Sequence, residues 1–296
     1  MQPLSVSRNG RLRRGWLGDA FTYAVLTGWL LFVLFPIYWV VAMSLKPESE
    51  VFARPPKFIG FQPTLDNYLN VLNLALPTNT FTVRSDFPAY FRNSIIIVGG
   101  AIVLTVVFGT LAAYGLARYR FRGRELFVGL VLSTRIIPVL TIITPLYIIF
   151  RRLGLYGTYE GLILVYLFIG LPFYILLLRG HIAAVPQEVE EAARVDGCSV
   201  LMLLRHIVVP LISPGIASSA LLVLIYMWNS FLFALILGGS DVQPVTAGIM
   251  NYMGLSQISY ANLSAAAVIC LTPVVVCGMF IQRYIVRGLS GGSIKG

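Results

Sequence analysis

The chain has 296 residues, of which 57% are apolar and only 11% are charged. Soluble domains carry about 25% charged residues, so this composition, with a mean hydropathy of +0.82, excludes an ordinary soluble protein and indicates a membrane protein. The net charge of +10 would suit a nucleic-acid-binding protein, but no basic patch interleaved with aromatic residues accompanies it, which argues against that class.

Six stretches are apolar over about 20 residues, the length that crosses a bilayer as a helix. Only a helix satisfies its own backbone hydrogen bonds in lipid, so the sequence predicts an all-α membrane protein with a six-helix domain over residues 20–286. The first stretch is longer than the core of a signal peptide and is predicted to be retained. The predicted spans are Ala20–Met43, Ser94–Leu116, Leu126–Phe150, Tyr159–Leu178, Ala217–Leu237 and Ala261–Gln282.

Basic residues are distributed unevenly between the two sides of these spans. Fourteen of the 22 Lys and Arg residues lie on the side that carries the chain termini, seven lie on the opposite side, and Arg135 lies inside a span. The positive-inside rule therefore places the tails, residues 1–19 and 287–296, in the cytoplasm. The positive net charge is thus explained as a signal of membrane orientation.

The longest loop, residues 44–91, falls on the outer side. It is rich in proline and aromatic residues and too apolar for a disordered linker. We expect it to pack as a small cap on the outer face, with a short helix near Leu65–Leu72. Further along, the spans contain prolines that predict bends in the helices. These are Pro138, Pro145, Pro172 and Pro273.

Three polar or aromatic residues inside spans are candidates for a substrate pathway. Arg135 is the one charge deep in a span, and it could donate hydrogen bonds to substrate hydroxyls or pair with helix carbonyls inside the bundle. Trp228 and Asn229 combine an aromatic ring with an amide, as sugar sites do, but they could equally join helices together. The sequence leaves these alternatives open.

The sequence carries no energy source of its own. It has no phosphate-binding G-x-x-x-x-G-K-[ST] motif and no acidic residue in mid-span, the usual group of a proton- or sodium-coupled carrier. Cys198, Cys270 and Cys277 show no disulfide or metal spacing. A stand-alone secondary transporter and a membrane-embedded enzyme are therefore disfavoured alternatives, and energy for transport would come from a partner.

The connection over residues 186–208 is a charged island between two apolar spans. The stretch EEAARVDGCSVLMLLRHIVVPLISPG, which runs from Glu190 to Gly215, starts within this connection. We predict a helix over Gln187–Val195, a left-handed backbone at Gly197 that ends it, and a second helix over Val200–Val208 capped by Ser199. The polar face is acidic rather than basic, which favours docking to a protein over lying on a bilayer.

This island resembles the EAA loop of binding-protein-dependent ABC transporter permeases. The matching positions are Glu191-Ala192-Ala193, Asp196-Gly197, Ile207 and Pro210, whereas Val209 stands where leucine is usual. Several other stretches are similar to the carbohydrate branch of that family, in particular to the smaller permease of maltose-type importers. They are FRNSIIIV, AAYGLARYRFRGR, RIIPVLTIITPLYIIFRRLGLYGT, LPFYILLLRG, WNSFLFALIL and the terminal GGSIKG.

The resemblance implies a type I ABC importer permease fold with a cytoplasmic EAA coupling helix, in a bacterial or archaeal cytoplasmic membrane. It also implies three kinds of partner: a second homologous permease, two copies of an ATPase subunit that bind ATP and Mg, and an extracytoplasmic solute-binding protein that meets loop 44–91. This chain would bind no cofactor and catalyse no reaction itself. The residues implied to couple it to the ATPase are Glu190, Glu191, Ala192, Ala193, Asp196 and Gly197.

Overall fold

A computed structural model describes residues 16–74, 85–250 and 259–291, with side chains described from residue 18 to residue 280 of those ranges. Within these ranges the regular secondary structure is helical. The helices are α1 Trp16–Ser44, α2 Glu48–Val51, α3 Asp66–Val71, α4 Phe87–Arg118, α5 Arg124–Ser133, α6 Val139–Arg152, α7 Tyr159–Ala183, α8 Gln187–Val195, α9 Val200–Leu203, α10 Val209–Leu211, α11 Ser213–Trp228, α12 Phe231–Leu237, α13 Val245–Gly248 and α14 Tyr260–Gly291.

Four helices in the described part of the chain are long and apolar enough to cross a membrane singly. They are Gly18–Ser44, Phe87–Arg118, Tyr159–Ala183 and Tyr260–Phe280, which correspond to the predicted first, second, fourth and sixth spans. A fifth candidate is a pair of helical segments, Val200–Leu211 and Ser213–Trp228, bent by 79°.

The third and fifth of the six predicted spans are each interrupted rather than formed by a single helix. The third stretch is divided into α5 and α6 by residues 134–138, because Pro138 has no N–H to donate and holds an extended backbone. The fifth is divided after α11, where Asn229 Nδ2 donates to the Ile225 carbonyl at 2.8 Å and the Ser230 hydroxyl donates to the Tyr226 carbonyl at 3.1 Å. The Ser230 hydroxyl supplies a partner to a carbonyl at the helix end, whereas the Asn229 amide adds a second donor to a carbonyl that already accepts the Asn229 backbone N–H. The other predicted bends, at Pro145, Pro172 and Pro273, lie inside uninterrupted helices.

The centre of the bundle is the contact of α4 with α7, joined by α11. A Cβ atom at Gly109 would lie 2.4 Å from Cδ1 of Tyr174, so only glycine lets these two helices approach so closely. The Tyr174 hydroxyl lies 3.1 Å from that of Thr110, which gives the buried phenol a partner. Gly170 makes similar room for Met227 of α11. Close packing of this kind drives helix association in lipid, where no hydrophobic force acts between helices.

The loop that follows α1 folds against the end of that helix. The short helix predicted near Leu65–Leu72 is present as α3, and Asn67 donates from it to the carbonyls of Ser44 at 2.9 Å and Lys46 at 2.8 Å. Lys46 is buried, with its ammonium 2.5 Å from the Lys57 carbonyl and 4.8 Å from the centre of the Trp39 ring. Residues 75–84 of the predicted loop lie outside the described residues.

Glu48 connects this loop to the last helix. Its carboxylate accepts hydrogen bonds from the Ser259 hydroxyl at 2.9 Å and from the backbone N–H groups of Tyr260 at 3.1 Å and Ala261 at 3.2 Å. The first N–H groups of a helix lack partners within the helix, and a negative charge there is favoured by the helix dipole. Glu48 therefore caps α14 from more than 200 residues away in sequence.

Replacing Glu48 with alanine should lower the free energy of unfolding by about 2 kcal/mol, because three donors at the start of α14 lose their acceptor. Thermal unfolding in mild detergent measures the effect. Glu125→Ala is the control, since that carboxylate also lies in the first turn of a helix but is 78% exposed, and it is 3.8 Å from Arg124. Its loss should change stability by no more than about 0.5 kcal/mol. Equal effects of the two substitutions would contradict the capping role.

Candidate functional site

The helix–turn–helix predicted in the fourth connection is present with the predicted start. Helix α8 has the expected bounds, Gln187–Val195, and Gly197 has a φ of +83°, a left-handed backbone that disfavours any residue with a Cβ atom. The Ser199 side chain accepts a hydrogen bond from the N–H of Met202 at 3.4 Å and caps the next helix. That helix differs from the prediction, because α9 is followed by a wider π-helical turn, Leu204–Val208, just before Pro210 removes a backbone donor.

Glu190 lies in the interior of the protein. Its carboxylate receives hydrogen bonds from Nε of Arg118 at 2.6 Å and from the Tyr114 hydroxyl at 2.9 Å. The Glu190 and Arg118 side chains are only 2% and 6% exposed. Arg118 also donates from Nη2 to the Val185 carbonyl at 2.8 Å. The end of α4 is thereby connected to the end of α7 and to the middle of α8.

The other candidate coupling residues divide between two sides of α8. Ala193 is buried against the core, next to Glu190 on the inward side. Glu191 and Ala192 are exposed on the outward side, and Asp196 and Gly197 are exposed in the turn. The exposed part of this segment is therefore narrower than the six residues predicted from the sequence.

A second arginine adds to the electrostatics of this site. Nη2 of Arg194 lies 3.7 Å from the Glu190 carboxylate, and the Arg194 side chain is 46% exposed. A hydrogen bond with the Tyr114 hydroxyl raises the pKa of Arg194, so the guanidinium stays charged at any physiological pH. The buried carboxylate thus faces two permanent positive charges.

Sequence reasoning did not identify Arg118 and Tyr114 as parts of this site. They are four residues apart and lie on one face of the last turns of α4, and that spacing was the available signal. The sequence does not show which acid they contact, since Glu190 is 72 residues away from Arg118. Among the described residues, no three His, Cys, Asp or Glu side chains are grouped as they would be to bind a metal.

Trp228 is oriented into the interfaces between helices. Its ring is 6% exposed, the indole N–H donates to the Cys270 carbonyl of α14 at 3.1 Å, and its edge meets Phe91 of α4 at 6.0 Å between ring centres. Asn229 is exposed at the end of α11, with its amide engaged by its own helix. The ring and the amide do not form a common face.

Arg135 lies in the interruption between α5 and α6, on the surface of the chain. The carbon at the centre of its guanidinium group is 4.6 Å from the centres of both the Phe173 ring and the Tyr226 ring. The two rings meet edge to face at 6.0 Å. Neither ring was a candidate from the sequence, because Phe173 and Tyr226 are 53 residues apart and belong to different helices.

Comparison with known proteins supports the helical fold described above and identifies a protein family. Residues 105–291 match the family of the binding-protein-dependent transport system inner membrane component. A solved bacterial ABC transporter involved in the import of the acidic polysaccharide alginate has a chain that superimposes with a TM-score of 0.74 at 23% identity, covering 94% of this chain and 99% of that one. At this identity the likeness shows the fold.

Relatives with closer sequences cover nearly the whole chain. The trehalose transport system permease protein SugB of Mycobacterium tuberculosis is 36% identical over 270 residues, which are 90% of this chain and 93% of the relative. The trehalose/maltose transport system permease protein MalG of Thermococcus litoralis is 35% identical over 89% of this chain and 92% of its own length. This chain therefore belongs to the binding-protein-dependent ABC transporter permeases, in their carbohydrate branch, and is a membrane transport subunit rather than an enzyme.

Proposed function

We propose that the chain is the transmembrane permease subunit of an ATP-driven, binding-protein-dependent importer of a carbohydrate. It forms half of a translocation pathway with a second, homologous permease. Two copies of a separate ATPase subunit bind ATP and Mg on the cytoplasmic side, and an extracytoplasmic binding protein delivers the substrate. The relatives named for trehalose and maltose transport support a saccharide as the cargo.

In this proposal the two interrupted stretches are also membrane spans. The pair α5 and α6 and the pair α11 and α12 each cross once as a broken helix, which gives six spans in all. Both termini and α8 then lie in the cytoplasm, and loop 44–91 lies outside, as the distribution of basic residues predicts. Broken helices are compatible with a membrane where neighbouring helices or a cavity satisfy the freed backbone groups.

The observation that carries the proposal is the way α8 is held. Its inward side is fixed by the buried pair of Glu190 with Arg118, while Glu191 and Ala192 face outward. A short helix attached only by loops would move independently of the membrane helices when the ATPase subunits displace it. A helix attached to the ends of α4 and α7 transmits its displacement to both membrane helices.

The outward surface of α8 and its turn has the chemistry of a protein-docking element. Ala192 lets a partner approach the helix backbone closely, and Val189 and Val195 beside it are 41% and 87% exposed. In the next helix Leu201 is 71% exposed. Exposed apolar side chains grouped around a small residue are typical of a surface that is covered in the assembled protein. Closure of two ATPase subunits would move this surface and open or close the pathway.

Cross-linking tests the docking face directly. In a chain with Cys198, Cys270 and Cys277 replaced, Ala192→Cys should form a disulfide with a cysteine placed in the cleft of the ATPase subunit, and the yield should change on addition of ATP. Ala193→Cys is the matched control, because it is the next alanine of the same helix and is only 7% exposed. It should form no such disulfide. Efficient linking of Ala193→Cys, or labelling of Ala192→Cys by an impermeant reagent added outside cells, would contradict the proposal.

Removing the buried carboxylate tests the attachment of α8. Glu190→Ala leaves Arg118 buried without its partner, and loss of one member of a buried ion pair costs about 3–5 kcal/mol of stability. We expect a lower unfolding temperature in detergent, and uptake that falls more than ATP hydrolysis does.

Two further variants separate the pair from the rest of α8. Glu188→Ala changes an exposed acid of the same helix and should alter stability by less than about 0.5 kcal/mol. The double change Arg118→Leu with Glu190→Leu removes both charges, and it should be more stable than Glu190→Ala. A Glu190→Ala protein as stable and as active as Glu188→Ala would show that the pair does not hold α8.

A further inference from the structure

Helical irregularities from several spans meet at one hollow on the surface of the chain. Thr134 and Ile137 come from the interruption between α5 and α6, Pro172 comes from α7, Tyr226 from α11 and Phe233 from α12. Helix α5 has ten residues, about 15 Å of a hydrocarbon core about 30 Å thick, so the interruption lies near the middle of the membrane. Non-helical backbone at this depth occurs where it is covered by protein or lines a water-filled cavity.

The charge of Arg135 shows that this face does not meet lipid. Arg135 is exposed in the isolated chain, and no carboxylate of the described residues lies within ion-pair distance of it. A charged side chain facing lipid at mid-membrane is strongly unfavourable, so ionisable residues there face the bundle or a cavity. The hollow therefore opens towards the space between the two permeases of the proposed transporter.

The environment of Arg135 indicates what the hollow would bind. Two ring faces at 4.6 Å stabilise the positive charge of the guanidinium but offer no acceptors for its N–H groups. None of the described side chains or carbonyls accepts a hydrogen bond from it, although a guanidinium carries five N–H donors. A neutral saccharide supplies hydroxyl oxygens for these donors and apolar C–H faces for the rings.

We infer that Arg135, Phe173 and Tyr226 form a contact site for neutral saccharides within the translocation pathway, an inference that rests on the proposed function. Arg135 donates to the hydroxyl groups, Tyr226, which lines the hollow, packs against the sugar ring, and Phe173 holds the guanidinium in place. Tyr226 is 38% exposed, so part of its ring is already open to a ligand. Tyr226 thus provides the aromatic contact with a sugar that the sequence suggested for Trp228, whose ring is buried between helices.

The test uses the complete transporter in proteoliposomes, with both permeases, the ATPase and the binding protein. Uptake of radiolabelled trehalose, maltose and the acidic digalacturonate is measured together with ATP hydrolysis. Arg135→Gln should lower uptake of the neutral sugar by at least about tenfold, the effect of losing charged hydrogen bonds, without lowering the hydrolysis stimulated by loaded binding protein. Tyr226→Leu should act in the same direction, and Tyr226→Phe should keep uptake close to normal because it retains the ring.

Arg151→Gln is the matched control. Arg151 also lies over two tyrosine rings, at 5.8 Å from Tyr147 and 5.7 Å from Tyr156, but it is at the end of α6 and away from the hollow. Its replacement should leave uptake unchanged. Unchanged uptake by Arg135→Gln, a parallel loss of uptake and hydrolysis, or wild-type uptake of digalacturonate alone would overturn the saccharide site. A wild-type complex that does not assemble with the ATPase would instead overturn the proposed function, and the site with it.

Discussion

A carboxylate that is 2% exposed needs strong hydrogen bonds in place of the water it has lost, and this requirement organises the end of the bundle where α4, α7 and α8 meet. Glu190 meets it with Arg118 and Tyr114, both from the last turns of α4. Arg118 in turn needs a second acceptor and finds it at the Val185 carbonyl, just after α7. Each group is satisfied only when α4, α7 and α8 are correctly placed. The buried pair therefore specifies the position of α8 as well as holding it.

The membrane imposes a second constraint, because backbone groups freed from a helix must find partners without water. At the end of α11 the Ser230 hydroxyl supplies such a partner, and the Asn229 amide adds a second donor to the Ile225 carbonyl. At the start of α14, where the groups are exposed, Glu48 is the partner and reaches the helix from the loop after α1. The interruption between α5 and α6 is different, since it carries the exposed Arg135. That difference is why we place the pathway there and treat the other irregularities as structural.

Local sequence signals predicted the parts of the fold that depend on neighbouring residues. The bounds of α8, the left-handed Gly197 and the Ser199 cap follow from side chains within a few positions. The direction in which Glu190 points could not be predicted, because its partner is 72 residues away and either side of an acidic helix can face solvent. Hydropathy also did not reveal the interruptions within the third and fifth stretches, since it averages over the few residues that break each helix.

The same distinction explains the pathway candidates. Trp228 and Asn229 suggested a sugar site because their residue types suit one, but the fold uses the indole to join α11 to α14. Arg135 was identified because a charge in a span is conspicuous. Its aromatic neighbours were not, because Phe173 and Tyr226 are brought together only by the packing of α7 with α11.

We propose that α8 moves with α4 and α7 and not independently of them. Spin labels at Arg120→Cys, just after α4, and at Glu188→Cys in α8 would report it by pulsed electron resonance in the assembled transporter, in a chain otherwise free of cysteine. A firm attachment of α8 predicts one narrow distance distribution that is the same without nucleotide and with ATP, and a broader one once Glu190 is replaced by alanine. A distance that changes with ATP while Glu190 and Arg118 are both present would contradict it.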